Sequence, residues 1–186
     1  MFKPSFSIPV FISLCLAVVL FPFSAKAETE DDIARDVATF PQYVDWPKEA
    51  FGNAFANFTF AVIGDELLSK KLNASQKGKW LDGHPVSVEN FGECDATSFK
   101  KLRACQVVFI SVSQKGHLGV ILKALKGKPV LTVSDMEDFT HGKGMIQLEP
   151  TQGRILIQIN PGPVEKSKLK IRSQLMRIAK IEKGGE

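Results

Sequence analysis

"CQVVFISVSQKGHLGVILKALKGKPVLTVSD", residues 105–135, decides the fold because it contains a complete strand–helix–strand unit. The first segment, 105–113, is rich in β-branched residues, and the last, 129–135, is a second short apolar run. Between them, "LGVILKALKG" is amphipathic and ends at a glycine, as helices commonly do. A helix that connects two such strands predicts a βαβ crossover and therefore a parallel sheet.

The same alternation continues toward the amino end. "FTFAVIGD" (58–65) and "HPVSVENF" (84–91) are predicted strands, and "ELLSKKLNAS" (66–75) and "ATSFKKLRA" (96–104) are predicted helices. Apolar strands of this kind are typical of a sheet that is buried on both faces. We therefore predict an α/β fold, a three-layer sandwich whose mostly parallel sheet of about five to six strands carries helices on both faces.

The segments before and after these alternating strands and helices show different patterns. Residues 30–45 predict a first helix, which Pro41 interrupts and Pro47 stops. "GMIQLEPTQGRILIQIN" (144–160) predicts two strands around a Thr-Gln-Gly turn, hence an antiparallel hairpin at one edge of the sheet. "KSKLKIRSQLMRIAKI" (166–181) has helical periodicity and predicts one closing helix.

The first 27 residues have the composition of a secretory signal peptide. Lys3 and the amino terminus are positive, residues 8–23 are apolar, and "AKA" at 25–27 fits the small-residue cleavage rule. The alternative, a retained anchor, is disfavoured because the apolar run is short of the roughly 20 residues of a membrane-spanning helix. We predict cleavage after Ala27, secretion to the periplasm, and a single domain over residues 28–186.

The charge balance argues against a nucleic-acid partner. The formal net charge of +4 falls to +2 when Lys3 and Lys26 leave with the signal peptide. The last segment is locally basic, and it has two interpretations, a solvated helix face or a polyanion site, of which the first is the more common. Its basic residues are Lys166, Lys168, Lys170, Arg172, Arg177, Lys180 and Lys183.

Two cysteines, Cys94 and Cys105, remain after cleavage. In an oxidising compartment an even pair predicts a disulfide, which would close a short loop and stabilise the fold by about 2–3 kcal/mol. Cys105 also begins an apolar strand, so a buried thiol is the alternative. The chain has no C-x-x-C motif, and neither thioredoxin-like chemistry nor a zinc knuckle is indicated.

Polar residues follow three of the predicted parallel strands. They are Gly64 and Asp65, then Ser111 to Ser113, then Ser134 and Asp135. Because ligands of open α/β sheets collect at the carboxyl ends of the strands, these residues predict a polar crevice. The same residue types also make turns and cap helices, and this structural interpretation is the more common one.

The sequence gives little support for a catalytic site or a cofactor-binding site. There is no G-x-S-x-G nucleophile elbow, and His84, His117 and His141 lie in separate segments without metal-ligand spacing. The acidic residues around His141 resemble an ordinary surface loop, and "GKG" (142–144) precedes a strand, whereas a phosphate loop precedes a helix. We predict a binding domain with no catalytic residue, no metal and no cofactor, and rank a hydrolase below it.

Several motifs taken together resemble one protein family. Their order and spacing, more than any one of them, are similar to those of the YfiR family of bacterial periplasmic proteins, over essentially the whole mature chain. They are "F-P-Q-Y-V-D-W-P" (40–47), "F-A-V-I-G-D" (60–65), "C-Q-V-V-F-I" (105–110), "V-L-T-V-S-D-x-x-x-F" (130–139), "G-K-G-M-I" (142–146), "I-Q-I-N" (157–160) and "L-K-I-R-S-Q-L-M-R-I-A" (169–179).

The resemblance implies a periplasmic α/β regulator that is usually a homodimer and is not an enzyme. It implies a repressor that binds the periplasmic portion of an inner-membrane diguanylate cyclase and lowers cyclic-di-GMP. It also implies a second partner, an outer-membrane lipoprotein with an OmpA-like domain, that relieves the repression. Cys105 matches the family's cysteine before the V-V-F-I strand, and its partner in this chain would be Cys94.

A small-molecule sensor for a nucleotide or an amino acid is the alternative function. Its candidate ligand residues are the strand-end set Gly64, Asp65, Ser134 and Asp135, and a second set formed by Asn160, Lys170 and Arg172, whose cations suit an anionic group. Tyr43 and Trp46 are the aromatic candidates for partner contact. For Trp46 the competing interpretation is a buried anchor of the first helix.

Overall fold

The computed structural model describes residues 24–92, 97–151 and 154–182, which form a mixed α/β fold. Its α-helices are α1 (Ser24–Thr39), α2 (Glu66–Gln76), α3 (Ser98–Leu102), α4 (Leu118–Leu125), α5 (Pro161–Lys166) and α6 (Ser173–Ile178). Its strands are β1 (Val44–Asp45), β2 (Phe58–Ile63), β3 (Trp80–Leu81), β4 (His84–Phe91), β5 (Val107–Ile110), β6 (Leu131–Ser134), β7 (Ile146–Thr151), β8 (Arg154–Ile159), β9 (Lys170–Ile171) and β10 (Lys180–Ile181).

The main sheet has eight strands in the order β10-β8-β7-β6-β5-β2-β4-β3. Strands β4, β2, β5, β6 and β7 pair in parallel, as the βαβ pattern predicts. The prediction of five to six strands was wrong, because the two-residue strands β3 and β10 are too short to show a periodic pattern. The β7–β8 hairpin is antiparallel as predicted, but it is not at the edge, because β10 pairs with β8 beyond it.

Side chains on β2 alternate between two hydrophobic clusters. Phe60 and Val62 belong to one cluster, which also contains buried residues of α1 and α2. Ala61 and Ile63 belong to the other, which contains buried residues of α3 and α4. Since successive strand residues point to opposite faces, the helices contact both faces of the sheet. The continuous apolar run of β2 is explained by this two-sided burial.

The first helix is shorter at its carboxyl end than the predicted span of residues 30–45. Helix α1 stops at Thr39, a 3₁₀ turn follows over Phe40–Tyr43, and the chain then enters strand β1. Pro41 lies in the first turn of the 3₁₀ segment, where its missing N–H leaves no hydrogen bond unmade. The predicted interruption at Pro41 is therefore confirmed, and the predicted helical continuation to residue 45 was wrong.

The predicted closing helix over residues 166–181 was also wrong. Helix α5 ends at Lys166, β9 follows, and α6 and β10 complete the segment. Lys168 has a φ of +58°, a left-handed conformation that a helix interior does not contain. Strand β9 pairs antiparallel with β1 in a separate two-stranded sheet, so this tertiary pairing overrides the local helical pattern. Leu169 and Leu175 are nevertheless buried, which explains the periodicity.

Within residues 24–92, 97–151 and 154–182, none of the helices has the length and apolar composition that a bilayer crossing requires.

Candidate functional site

The first two strand-end residues hold the turn between β2 and α2. Asp65 Oδ1 accepts a hydrogen bond from the Leu68 backbone N–H at 2.8 Å and so caps α2. Gly64 has a φ of +79°, and its carbonyl accepts a hydrogen bond from Ser113 Oγ at 3.0 Å. A Cβ added to Gly64 would lie 2.3 Å from that same Oγ, so the close approach of the two loops requires glycine here.

The other strand-end pair has similar structural contacts. Ser134 Oγ donates to the Ile110 carbonyl at 2.6 Å and accepts from the Met136 backbone N–H at 3.0 Å. Asp135 Oδ1 accepts from the Val112 backbone N–H at 3.1 Å. Burial raises the pKa of the Asp135 carboxyl, and the neighbouring Asp65 carboxylate raises it further.

The strand ends thus meet at one edge of the sheet, with Asp65 and Asp135 close enough to interact. Each of the four predicted residues makes a hydrogen bond within the fold, which is the turn-and-cap arrangement. A ligand role for this edge stays a prediction. Sequence reasoning missed Gln114, a buried residue of the same edge whose Oε1 has no hydrogen-bond partner among the described residues.

The second predicted ligand set consists of Asn160, Lys170 and Arg172. The hydrogen bonds of these residues go to separate partners and do not bring the three side chains together. Asn160 is buried, where its Oδ1 accepts from the Gly162 N–H at 3.1 Å and its Nδ2 donates to the Thr140 carbonyl at 2.8 Å. Lys170 is exposed on β9. Their role in holding an anion stays a prediction.

All three guanidinium nitrogens of Arg172 donate to groups at the other end of the chain. Nε and Nη2 contact Asp45 Oδ1 at 3.0 and 2.6 Å. Nη1 contacts the Gln42 carbonyl at 3.0 Å. In addition, the Arg172 backbone N–H donates to the Tyr43 carbonyl at 2.8 Å. Arg172 therefore links the start of α6 to the segment around β1.

Trp46 packs against the core, and Tyr43 is partly buried beside it. The Trp46 ring meets Phe58 edge-on, with a centroid distance of 5.1 Å and an angle of 84°. Its indole N–H is buried and has no acceptor among the described residues. These contacts agree with the interpretation of Trp46 as an anchor, and partner contact by either residue stays a prediction.

A cleft of about 400 Å³ lies where the segment around β1, the β3–β4 turn and the start of α6 meet. We call it the tryptophan cleft, because both tryptophans of the chain line it. Sequence reasoning missed it, although "WLDGH" (80–84) contains an Asp-Gly pair, the strongest short-range signal for a hairpin. Its lining residues are Pro41, Gln42, Val44, Asp45, Trp46, Phe58, Trp80, Leu81, Asp82 and Arg172.

A second groove of about 480 Å³ lies between α1 and α2 and shares Gln42 and Leu81 with the tryptophan cleft. Lys71 Nζ lies 2.8 Å from Asp31 Oδ1 on its wall. The hydrogen bond to Asp31 raises the pKa of the Lys71 ammonium. The groove is therefore lined by paired charges and by small residues of the two helices.

Cys105 is buried, and its Sγ lies 3.4 Å from the Lys101 carbonyl. Burial raises the pKa of this thiol to about 12, with a further contribution from Glu89. Within the described residues Cys105 forms no disulfide. Cys94 lies outside the described residues, so the predicted Cys94–Cys105 pair stays a prediction.

Comparison with known proteins gives one family match. A model described as YfiR/HmsC-like matches residues 34–180, from α1 to the first residue of β10. No curated protein matches the chain. The matched range includes the strand-end edge and every lining residue of the tryptophan cleft. The chain belongs to the YfiR/HmsC-like family.

Proposed function

We propose that this chain is a periplasmic regulator, not a catalyst, that represses an inner-membrane diguanylate cyclase by binding its periplasmic portion. The observation that carries the proposal is the family match over residues 34–180. Physically, such a repressor binds the inactive conformation of the cyclase more tightly than the active one and shifts the population toward it. The expected result of binding is a lower concentration of cyclic-di-GMP.

The polar groups of the strand-end edge cap helices and fix turns, so contact with a partner is expected elsewhere on the surface. Exposed large apolar side chains offer contact surface for a protein partner. The most exposed of them are Phe55, Ile178 and Trp80.

Deletion of the gene tests the proposal in the native cell. Cyclic-di-GMP rises on deletion and returns to its starting concentration when the full chain is restored. Cross-linking of the tagged chain captures an inner-membrane protein that contains a cyclase domain. Unchanged cyclic-di-GMP together with no captured cyclase contradicts the proposal.

The location, the disulfide and the assembly belong to the same proposal. The mature chain begins at Glu28 and is recovered in the periplasmic fraction, which amino-terminal sequencing tests. It carries a Cys94–Cys105 bridge, which mass spectrometry without reduction detects as a loss of two hydrogens. It forms a homodimer, which light scattering measures, and an outer-membrane lipoprotein with an OmpA-like domain sequesters it.

A small-molecule sensor is the second candidate function, and the tryptophan cleft favours it. Its volume of about 400 Å³ is within the range of small-molecule sites. A ligand that binds only the folded chain stabilises it by RT ln(1 + [L]/Kd) and therefore raises the melting temperature. A screen of nucleotides and amino acids that leaves the melting temperature unchanged contradicts this candidate.

A further inference from the structure

The tryptophan cleft has aromatic walls. Phe58 is fully buried at its base, and Trp46 packs edge-on against it. Trp80, on strand β3 at the edge of the sheet, is 67% exposed, although large apolar side chains are usually covered. The faces of indole rings carry partial negative charge and attract cations.

The charges of the cleft also favour a cation. Arg172 uses three of its five N–H donors on Asp45 and the Gln42 carbonyl, so its positive charge is already paired with a carboxylate of the cleft. Its ion pair with Asp45 neutralises both groups. Asp82 also lines the cleft, and no ion pair joins it to another side chain in the described ranges. The cleft therefore has an excess of one negative charge.

The backbone holds Asp82 in place. Asp82 and Gly83 have φ values of +50° and +80°, the left-handed pair of a type I′ turn, and they connect the antiparallel strands β3 and β4. Such a turn allows few other backbone conformations, so the carboxylate is presented to the cleft at little further cost in entropy. Lys79, the nearest basic residue in sequence, lines the adjoining α1–α2 groove.

We infer that the tryptophan cleft binds an organic cation, a quaternary or protonated amine, between Trp80, Trp46 and the Asp82 carboxylate. The indole faces contact the apolar substituents of the cation, and Asp82 compensates its charge. Binding of such a cation does not require repression of a cyclase, so either proposal can fail without the other.

Choline is the probe for the test, because its charge can be removed without a change of shape. The control ligand is the neutral alcohol in which carbon replaces the choline nitrogen. Both tryptophans of the chain line the cleft, so the intrinsic fluorescence of the full chain reports occupancy directly. We expect a saturable change of emission with choline and none with the neutral alcohol or with sodium chloride at equal ionic strength. Equal responses to choline and the alcohol, or no saturable response, overturn the inference.

Two variants locate the site, and a third serves as control. Asp82→Asn keeps the turn, because Asn tolerates a positive φ, and removes the charge pair with the cation, so we expect it to weaken choline binding about two- to fivefold. Trp80→Ala is expected to weaken binding at least as much. Phe55→Ala removes an aromatic ring that is 90% exposed and does not line the cleft, so it should bind as the wild type does. Wild-type affinity in both cleft variants, with unchanged melting curves, overturns the inference.

Vesicles distinguish a free amine from a lipid headgroup. Co-sedimentation with phosphatidylcholine vesicles, and not with phosphatidylglycerol vesicles, identifies the headgroup as the source of the cation. Binding of free choline without co-sedimentation identifies a soluble amine. In each case the Asp82→Asn variant must bind more weakly than the wild type, and equal binding overturns the inference.

Discussion

The Asp135 carboxyl is partly buried at the strand-end edge, and its pKa is raised above the ordinary value of 3.8, first by burial and then by Asp65. The folded chain therefore holds this proton more tightly than the unfolded chain does. Between the unfolded pKa and the raised folded pKa, the folded state binds more protons, so stability falls as the pH rises through that window. At neutral pH the ionised carboxylate opposes folding.

Asp135→Asn is expected to raise the melting temperature at neutral pH by about 1–4 °C. The amide oxygen can still accept the hydrogen bond from the Val112 N–H, while the buried charge is removed. The gain should disappear below about pH 3.8, where the wild-type carboxyl is protonated in both states. Thermal melts across pH measure this, with exposed Glu137→Gln as control. A lower melting temperature for Asp135→Asn at neutral pH contradicts the argument.

Gly64→Ala is expected to destabilise the fold by about 2–4 kcal/mol, because steric overlap adds to backbone strain. The new Cβ would lie 2.3 Å from Ser113 Oγ at a residue with a φ of +79°. Gly83→Ala is the matched control, since its φ is +80° but nothing lies within 4 Å of the added atom. Denaturant unfolding of both variants separates the two effects. Equal losses in the two would show that the loop contact contributes nothing.

At the scale of single elements, helix α2 depends on its cap. Asp65→Ala removes the acceptor of the Leu68 N–H, and we expect a loss of about 1 kcal/mol in the free energy of unfolding. Asp65→Asn keeps a side-chain oxygen at the same position and should recover most of the loss. Chemical denaturation measures both. A destabilised Asn variant would instead indicate that the charge of Asp65, and not its hydrogen bond, stabilises α2.

Elements with long, repeated patterns could be predicted from the sequence. Strands β2, β5 and β6 were, because two-sided burial requires nearly continuous apolar runs, and β4 was predicted although none of its residues is fully buried. The hairpin of β7 and β8 was predicted from its turn residues. The strand-end residues Asp65 and Asp135 were expected to meet, because the carboxyl ends of parallel strands share one edge of a sheet.

Elements that depend on distant partners could not be predicted in the same way. Strand β9 exists because β1 pairs with it, and the local periodicity of the segment indicates only a helix. The tryptophan cleft needs Arg172 and Asp45, which are 127 residues apart, to lie side by side. The edge position of Trp80 could have been predicted from the Asp82-Gly83 turn, because this turn places Trp80 on a short edge strand.

At the scale of the whole molecule, β10 covers part of one edge of the main sheet. It pairs with Gln158 and Ile159 of β8. A chain that ends at Ala179 is expected to lose about 1–3 kcal/mol of stability and to self-associate, because it exposes unpaired backbone groups of β8. A chain that ends at Glu182 retains β10 and is the control. Melting curves and light scattering measure the two effects, and identical behaviour of both chains contradicts this role of β10.

Arg172 connects the two ends of the described chain through Asp45, Gln42 and Tyr43. Synthesis from the amino end delivers Asp45 and Trp46 long before Arg172. The pairing of β1 with β9 must then wait until Lys170 and Ile171 have been synthesised, because a contact of large sequence separation needs both of its segments. Any product of premature termination before Arg172 lacks one wall of the cleft, so the cleft is complete only in chains that extend past this residue.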